Sequence, residues 1–366
     1  MDNDVVLWIV VATALAFDFT NGFHDTANAV ATSISTRAMA PRVAVTLAAV
    51  LNFVGAFLSL EVAATIASGI VQADLVTLPI VFAGLIGAIT WNLMTWYVGL
   101  PSSSSHALIG GVVGAAFAAE GAQAVIGDGI LEKVALPALI APVLAFTVAG
   151  LSILITYRIV GRQRPSTVSR GFRLGQIISG SLFSLSHGTN DAQKTMGIIF
   201  LALIAHGDLS SSDDIPTWVV VSAATAIALG TYVGGWRIIK TMGSRIIKMD
   251  PAQGFAAQGA GAAVILSASH AGFPLSTTHV ISGAIMGAGA AKRVSAVRWG
   301  VAGNIVVAWV LTLPASALVG AVTYLVVNAF GEGAAGPVIV SVALLIVLAV
   351  AMARRVGSGK TLTAEA

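Results

Sequence analysis

The sequence contains no cysteine among its 366 residues, which excludes disulfide bridges, thiolate metal sites and thiol catalysis. Charged residues are also scarce. They make up 10% of the chain, whereas hydrophobic residues make up 57% and the mean hydropathy is +0.91. Apolar runs of about 17 to 27 residues recur along the whole chain. This composition predicts an all-α polytopic membrane protein.

The start of the chain lacks the features of a cleaved signal peptide. The first apolar segment follows the acidic residues Asp2 and Asp4, with neither a basic region nor a small-residue cleavage site. We therefore expect this segment to remain as a membrane helix. The 39 glycines, together with many alanines and serines, suit helices packed closely in lipid, where small residues let backbones approach.

The apolar runs predict about 10 to 12 transmembrane segments. Two of them, near 5–36 and 174–205, are long and polar in the middle, which indicates interrupted helices or re-entrant hairpins. The other segments lie near 41–60, 77–99, 102–119, 134–157, 216–235, 253–271, 274–291, 299–325 and 337–353.

The loops between these segments alternate in charge. Five of them, including the C-terminal tail, hold most of the 19 lysines and arginines, and the others are acidic with Lys133 as their only cation. The positive-inside rule then places the N-terminus outside and the C-terminus in the cytoplasm. One basic loop alone could be an ordinary solvated surface, but strict alternation over five favours an orienting role. These loops also explain the pI near 9.4, so nucleic-acid binding is not expected.

Two pairs of motifs recur in the same order and at nearly the same spacing. The stretch "NGFHDTANAVATSI" (21–34) resembles "SHGTNDAQKTMGII" (186–199), with Asp25 matching Asp191. Likewise "PSSSSHALIGG" (101–111) resembles "PLSTTHVISGA" (274–284). Because the two halves begin on opposite sides of the membrane, the motifs indicate an inverted-topology repeat, the architecture of secondary transporters. The alternative is chance similarity between segments rich in small residues.

This duplication predicts four parts of the chain. Residues 1–157 form the N-terminal repeat, and 158–173 form a basic cytoplasmic connector. Residues 174–325 form the C-terminal inverted repeat, and 326–366 add a further helix and a cytoplasmic tail.

Four formal charges remain inside apolar segments, namely those of Asp18, Asp25, Asp191 and Lys194. An ionised residue there costs roughly 2.5–3.5 kcal/mol, so it normally faces a cavity or a partner. Because the negative charges outnumber the positive one, a site formed by these residues favours the binding of cations. Repetition favours a functional role for Asp25 and Asp191. Lys194 could be only a counter-ion to Asp191, and Asp18 could have a structural or capping role.

Histidines concentrate in the same motifs, where five of the six lie in or beside the repeated stretches. Clustered carboxylates and imidazoles can carry protons, because histidine titrates near neutrality. A lone membrane histidine can also be a hydrogen-bonding packing residue, which is our interpretation of His187 and His270. The candidates for proton or substrate contacts are His24, His106, His279 and Lys194.

The serine and threonine clusters have the pattern of helix N-termini lying within the membrane. Pro101 and Pro274 favour a helix start, and the hydroxyls that follow can cap free amides. Hydroxyls, unpaired N–H groups and the positive end of a helix dipole together bind anions such as phosphate. The alternative is a pair of ordinary helix caps. The anion interpretation requires Ser104 and Thr277 to line one common chamber.

Importing such an anion requires energy. With about 100 mV negative inside, each negative charge costs roughly 2.3 kcal/mol, so a doubly charged anion faces about 4.6 kcal/mol. Co-transported cations would supply this energy.

The four motifs resemble the duplicated signatures of the inorganic phosphate transporter (PiT) family, particularly the bacterial low-affinity permeases. The resemblance covers about residues 5 to 325 and implies a cation-coupled phosphate symporter of the bacterial cell membrane, commonly a homodimer. It implies that cations are coordinated or coupled by Asp25, Asn28, Asn190 and Asp191. It also implies that phosphate is surrounded by Ser103, Ser104, Ser105, Gln193, Ser276, Thr277 and Thr278.

One position departs from the pattern of the sodium-coupled members. Many of these have asparagine where this chain has His24, which favours coupling to protons or transport of a neutral metal–phosphate complex over sodium. Asp25 and Asp191 are then candidate ligands for Na⁺ or for a divalent ion that enters with phosphate. No tightly bound cofactor is expected, only co-transported H⁺ or Na⁺.

The leading hypothesis is therefore an alternating-access importer of inorganic phosphate, not an enzyme. A sulfate or other oxyanion symporter of the same family is one alternative, and arsenate cannot be distinguished from phosphate. A membrane-embedded hydrolase using Ser105 or Thr278 with a histidine and Asp25 or Asp191 is another. The third is a passive anion channel.

Overall fold

The computed structural model describes residues 2–331 and 333–357. Within these ranges the chain forms α-helices joined by short turns, with no β-strand beyond an isolated bridge between Val71 and Val125. In chain order the helices are α1 (Asp2–Ser35), α2 (Pro41–Gly55), α3 (Glu61–Ser68), α4 (Leu78–Val98), α5 (Ser104–Glu120), α6 (Gly127–Ile130), α7 (Leu136–Val160), α8 (Pro165–His206), α9 (Thr217–Val233), α10 (Trp236–Lys240), α11 (Pro251–His270), α12 (Thr277–Lys292), α13 (Trp299–Asn328) and α14 (Ala335–Gly357).

The all-α membrane fold is confirmed. Five helical segments are long and apolar enough to span a bilayer, and α9 with α10, bent by 62°, would make a sixth. The other predicted segments correspond to shorter or more polar helices, so the count of 10 to 12 crossings stays a prediction. Large apolar side chains on α7 and α13, such as Leu139 and Val310, are about 70% exposed and suit contact with lipid.

One detail of the predicted segments is wrong. Helices α1 and α8 are continuous rather than interrupted. Neither contains an internal proline, and their hydroxyls bond back to their own backbone, as Thr26 does to Gly22 O at 2.7 Å. The connector 158–173 is also largely helical, because α7 extends to Val160 and α8 begins at Pro165, a residue favoured in the first turn. Part of the predicted cytoplasmic tail, 358–366, lies outside the described residues.

Helices from the two halves of the chain pack in an exchanged arrangement. Helix α5 packs against α13, and its sequence counterpart α12 packs against α7. Similarly α1 packs against α9, and α8 packs against α2. Two three-helix groups result, one of α4, α5 and α13 and the other of α7, α11 and α12, on either side of the contacting pair α1 and α8. Each half therefore completes the packing of the other.

Equivalent glycines allow the closest of these approaches. A β-carbon at Gly22 would lie 2.4 Å from Ile227 O on α9, and one at Gly188 would lie 2.2 Å from Asn52 O on α2. Real side chains do not tolerate such distances, so both positions require glycine for packing. Gly22 and Gly188, which match in the first motif pair, therefore lie at equivalent helix–helix interfaces in the two halves of the chain.

Candidate functional site

The two hydroxyl clusters form the buried N-termini of α5 and α12. Ser103 Oγ accepts a hydrogen bond from His106 N at 3.1 Å, and Ser276 Oγ accepts one from His279 N at 3.3 Å. Each cluster therefore supplies one hydroxyl as the N-cap of its helix, Ser103 for α5 and Ser276 for α12. The hydroxyl-bearing residues that follow are at most 2% exposed, namely Ser104, Ser105, Thr277 and Thr278.

The prolines that pointed to these helix starts lie outside the helices themselves. Helix α5 begins at Ser104 and α12 at Thr277, whereas Pro101 and Pro274 lie in the extended segments that precede the caps. Gly99 ends α4 with φ +74°, a left-handed conformation that glycine adopts without strain. The chain thus breaks between α4 and α5 and leaves the first turn of α5 free inside the protein.

Helix α1 supplies a histidine–carboxylate pair to the first cluster. His24 Nδ1 lies 2.6 Å from Asp25 Oδ1, and His24 Nε2 lies 3.0 Å from Thr95 Oγ1. The hydroxyls of Ser102 and Ser104 lie 3.4 and 3.5 Å from the ring nitrogens. His24 therefore joins the Asp25 carboxylate to the hydroxyls that precede and begin α5.

The second cluster meets both carboxylates. Thr277 Oγ1 lies 3.4 Å from Asp25 Oδ2 and 3.3 Å from Asp191 Oδ2. Asn28 Nδ2 donates to Thr277 Oγ1 at 3.2 Å and to Thr278 Oγ1 at 2.9 Å. The Thr277 hydroxyl thus stands between equivalent carboxylates of the two repeats. Ser104 and Thr277 both lie beside the His24–Asp25 pair, so the structure brings the two clusters together, as the anion interpretation requires.

Helix α8 closes the site with a buried ion pair. Lys194 Nζ donates to Asp191 Oδ1, to Ser105 Oγ and, at 2.8 Å, to Leu275 O. His187 Nε2 lies 3.0 Å from the other Asp191 oxygen. Lys194 is therefore the counter-ion of Asp191 and also binds the hydroxyl cluster, whereas its expected contact with the substrate stays a prediction.

Three ionisable side chains stand close enough to hold one cation. Ligand atoms of Asp25, His187 and Asp191 all lie within 4.8 Å of one another, and all three residues are buried. Carboxylates and imidazole together suit a metal ion. Sequence reasoning had paired the two carboxylates but treated His187 as a packing residue. Its spacing of four residues from Asp191 on one helix face was the signal that could have identified it.

Two predicted site residues serve neighbouring segments. Asn190 Nδ2 donates to Ser269 Oγ at 2.9 Å and to Phe273 O at 3.1 Å, which anchors the turn that leads to α12. Gln193 Oε1 accepts from the amides of Val62 at 2.8 Å and Ala63 at 3.3 Å. Gln193 therefore caps α3 in this structure, and its expected place among the phosphate ligands stays a prediction.

The physical reason for the position of Gln193 is the composition of α3. The N-cap residue of this helix is Leu60, whose side chain cannot accept a hydrogen bond. A residue from another helix has to satisfy the free amides of its first turn. Gln193 does so, and its own Nε2 returns to Thr189 O at 2.5 Å.

The two motif histidines contact each other. The rings of His106 and His279 meet edge to face with centroids 4.8 Å apart, and His279 stacks on Trp309 at 4.1 Å. Both ring nitrogens of His279 lack a hydrogen-bond partner within the described part of the chain. The imidazoles thus adjoin the site through their backbone caps, with their rings packed into a separate aromatic cluster.

The hydrolase alternative lacks its nucleophile–base pair. The hydroxyl of Ser105 contacts Lys194 and Leu275 O, and the hydroxyl of Thr278 contacts Asn28. No imidazole is bonded to either hydroxyl among residues 2–331 and 333–357. The geometry of nucleophilic catalysis is therefore not met at these residues.

Comparison with known proteins connects this site to one family. A family model for phosphate transporters matches residues 21–320. A "Probable low-affinity inorganic phosphate transporter" from Mycobacterium bovis is 58% identical over 89% of this chain and 78% of its own length. A Bacillus subtilis protein of the same name is 49% identical over 90% of this chain and 99% of its own length.

A solved structure is similar as well. "The sodium-dependent phosphate transporter" superposes with a TM-score of 0.80, covering 89% of this chain and 99% of that one, at 26% sequence identity. The similarity extends over both halves of the chain and over all four motifs.

Proposed function

Because the chain belongs to the phosphate transporter family, we propose that it imports inorganic phosphate across a bacterial cell membrane by symport with a cation through alternating access. The observation that carries the proposal is the meeting of two hydroxyl-bearing helix N-termini beside the repeated acids. Ser104 of α5 lies beside His24, the partner of Asp25, and Thr277 of α12 lies beside both Asp25 and Asp191. An anion site and a cation site then share one buried chamber.

The phosphate would bind at the first turns of α5 and α12. Free backbone amides and the positive ends of two helix dipoles converge there, and neither requires an arginine. The hydroxyls donate further hydrogen bonds, and the Lys194 ammonium adds one positive charge. The proposed ligands are Ser103, Ser104, Ser105, Ser276, Thr277 and Thr278, with Lys194 as a substrate contact.

The coupling cation would bind beside the phosphate. Asp25, Asp191 and His187 form the core of this site, and Asn28 and Asn190 lie at its edge. The Asn190 Oδ1 atom has no hydrogen-bond partner among the described residues, so it is free to act as a ligand. A cation here offsets the charge of the phosphate, which would otherwise oppose its entry against the membrane potential.

The identity of the cation depends on the His24–Asp25 pair. A solved relative is named as sodium-dependent, which supports Na⁺. In this chain the Asp25 Oδ1 atom lies 2.6 Å from His24 Nδ1, so a proton could be held between them instead. The third candidate, besides Na⁺ and a proton, is a divalent ion that enters together with phosphate as a metal–phosphate complex.

Alternating access would follow from the exchanged packing. The group of α4, α5 and α13 carries one hydroxyl cluster, and the group of α7, α11 and α12 carries the other. Rocking of one group against the other about α1 and α8 would open the chamber to one side at a time. We also retain the homodimer, the cytoplasmic C-terminus and the division into two inverted repeats as parts of the proposal.

Transport by the purified chain in proteoliposomes tests the proposal. Labelled phosphate should accumulate above its equilibrium level when a pH, sodium or voltage gradient is imposed, and unlabelled sulfate in excess should compete weakly. Accumulation under none of these gradients would refute symport. Flux that follows only the phosphate gradient would indicate a passive channel, and strong competition by sulfate would indicate a broader oxyanion carrier.

A further inference from the structure

Asp18 is a buried carboxylate that the proposed phosphate and cation sites do not use. Its side chain is 0% exposed, and neither carboxylate oxygen has a hydrogen-bond partner within residues 2–331 and 333–357. A capping role is therefore excluded, because capping requires a hydrogen bond to a backbone amide. A structural role through an ion pair has no partner in this arrangement either.

The surroundings of Asp18 consist of neutral polar groups. The side chains of Thr195 and Asn21 face the carboxyl, and Thr195 Oγ1 is itself without a partner in the described chain. Of the acids and bases on helices packed against α1, Asp191 and Lys194 of α8 are the ones that act on it. The Lys194 ammonium is already engaged by Asp191, so Asp18 remains without a counter-charge.

The position of Asp18 links it to the site. Asp18 lies seven residues before Asp25 on the continuous helix α1, which places it on the same face and about 10 Å farther along the axis. His206 Nε2 lies 3.3 Å from Asp4 Oδ1, so the C-terminal end of α8 meets the N-terminal end of α1. Asp18 and Thr195 therefore lie between that end and the level of Asp25 and Asp191.

Apolar side chains separate Asp18 from the exposed end of α1. Val10, Ala14 and Phe17 are each fully buried on the N-terminal side of Asp18. In the proposed topology this end faces the outside, so Asp18 is the first intramembrane acid on the outer side of the chamber. The group is occluded in this conformation and can exchange its ligand only when the surrounding helices move apart.

We propose that Asp18 is a proton-binding site of the transport cycle and that it holds the coupled proton as a neutral carboxylic acid in the occluded carrier. An unpaired carboxylate in such surroundings takes up a proton in preference to staying charged. A metal ion fits less well, because hard cations need several converging ligands, and the ligand group found among the described residues consists of Asp25, His187 and Asp191 without Asp18. The inference rests on the proposed function, since it assigns the proton of that symport to a residue.

The test compares Asp18→Asn with Asp4→Asn, the same chemical change at the exposed end of the same helix. Two quantities are measured in proteoliposomes without sodium. The first is the accumulation of labelled phosphate driven by a pH gradient, and the second is the exchange of phosphate at equal pH on both sides. The first is divided by the second. This ratio should fall at least tenfold in Asp18→Asn and stay at the wild-type value in Asp4→Asn. A wild-type ratio in Asp18→Asn overturns the proposal, as does a loss confined to sodium-driven accumulation.

Infrared spectroscopy of the full chain at neutral pH provides a second test that needs no transport. A band of a protonated carboxylic acid should be present in the wild type and should change frequency in Asp18→Glu, which remains an acid. Absence of such a band, or a band that Asp18→Glu leaves unmoved, overturns the proposal even if Asp18→Asn fails to fold. If the wild type shows no phosphate accumulation, the proposed symport fails, while the infrared result still decides the state of Asp18.

Discussion

Removing either charge of the Asp191–Lys194 pair should destabilise the protein strongly, whereas removing both should cost much less. Both side chains are about 1% exposed, and within the described part of the chain the ammonium donates otherwise to Ser105 and Leu275 O. Breaking a buried pair leaves an uncompensated charge, at a cost of about 3–5 kcal/mol. We therefore expect losses of about that size for Asp191→Asn and for Lys194→Met.

The double variant Asp191→Asn with Lys194→Met contains no unpaired charge. Its loss of stability should be smaller than the sum of the single losses by about 3 kcal/mol. The measurement is a double-mutant cycle of unfolding free energies, obtained by denaturant titration in mixed micelles. Phosphate accumulation should stay abolished in the double variant, because Asp191 is also a proposed cation ligand.

A surface pair provides the matched control for this cycle. Lys292 Nζ lies 3.2 Å from Asp250 Oδ2, with side chains 55% and 34% exposed. Solvent screening limits the coupling energy of such a pair to about 1 kcal/mol or less. Additive losses at Asp191 and Lys194, or a coupling no larger than the surface value, would contradict the description of this pair as a buried, mutually dependent unit.

Three further substitutions separate function from packing. Asp25→Asn should reduce gradient-driven phosphate accumulation at least tenfold while the protein stays folded, and normal accumulation, as expected for the control Asp128→Asn in the short helix α6, would exclude Asp25 from coupling. Gln193→Ala should lower the unfolding free energy by about 1 kcal/mol through loss of the α3 cap, with an unchanged KM for phosphate; a raised KM would return Gln193 to the phosphate site. Gly22→Ala should lower the unfolding free energy by about 1–3 kcal/mol, because the new β-carbon would lie 2.4 Å from a carbonyl oxygen of α9. The control Gly171→Ala, whose β-carbon would have no described atom within 4 Å, should not destabilise the protein. Equal melting temperatures of the two variants would refute the packing argument.

The repeated motifs allowed the site to be located from the sequence. Duplicated stretches had to lie near each other if they formed one symmetric site, and Ser104 and Thr277 do lie beside the two members of the His24–Asp25 pair. The same reasoning paired Asp25 with Asp191. Repetition is informative because a twofold arrangement brings equivalent residues to a common axis.

Other contacts could not be read from the sequence because they depend on tertiary neighbours. Gln193 lies in the repeated stretch 186–199, but its side-chain amide caps α3, a short helix whose own N-cap residue provides no capping side chain. The continuity of α1 and α8 was missed for a related reason. Their central polar residues resemble a break, yet several of these polar groups bond to an adjacent helix or to their own backbone, as Asn28 and Thr26 do.

The exchange of α5 and α13 between the two halves has a consequence for biosynthesis. Helix α5 ends at Glu120, and its main packing partner α13 begins at Trp299, so about 180 residues must be made in between. At about 5–20 residues per second, this interval lasts roughly 10 to 40 seconds. During that time the first repeat lies in the membrane with α5 not yet packed against α13. The side of α5 that packs against α13 therefore stays uncovered until about the last fifth of the chain is made.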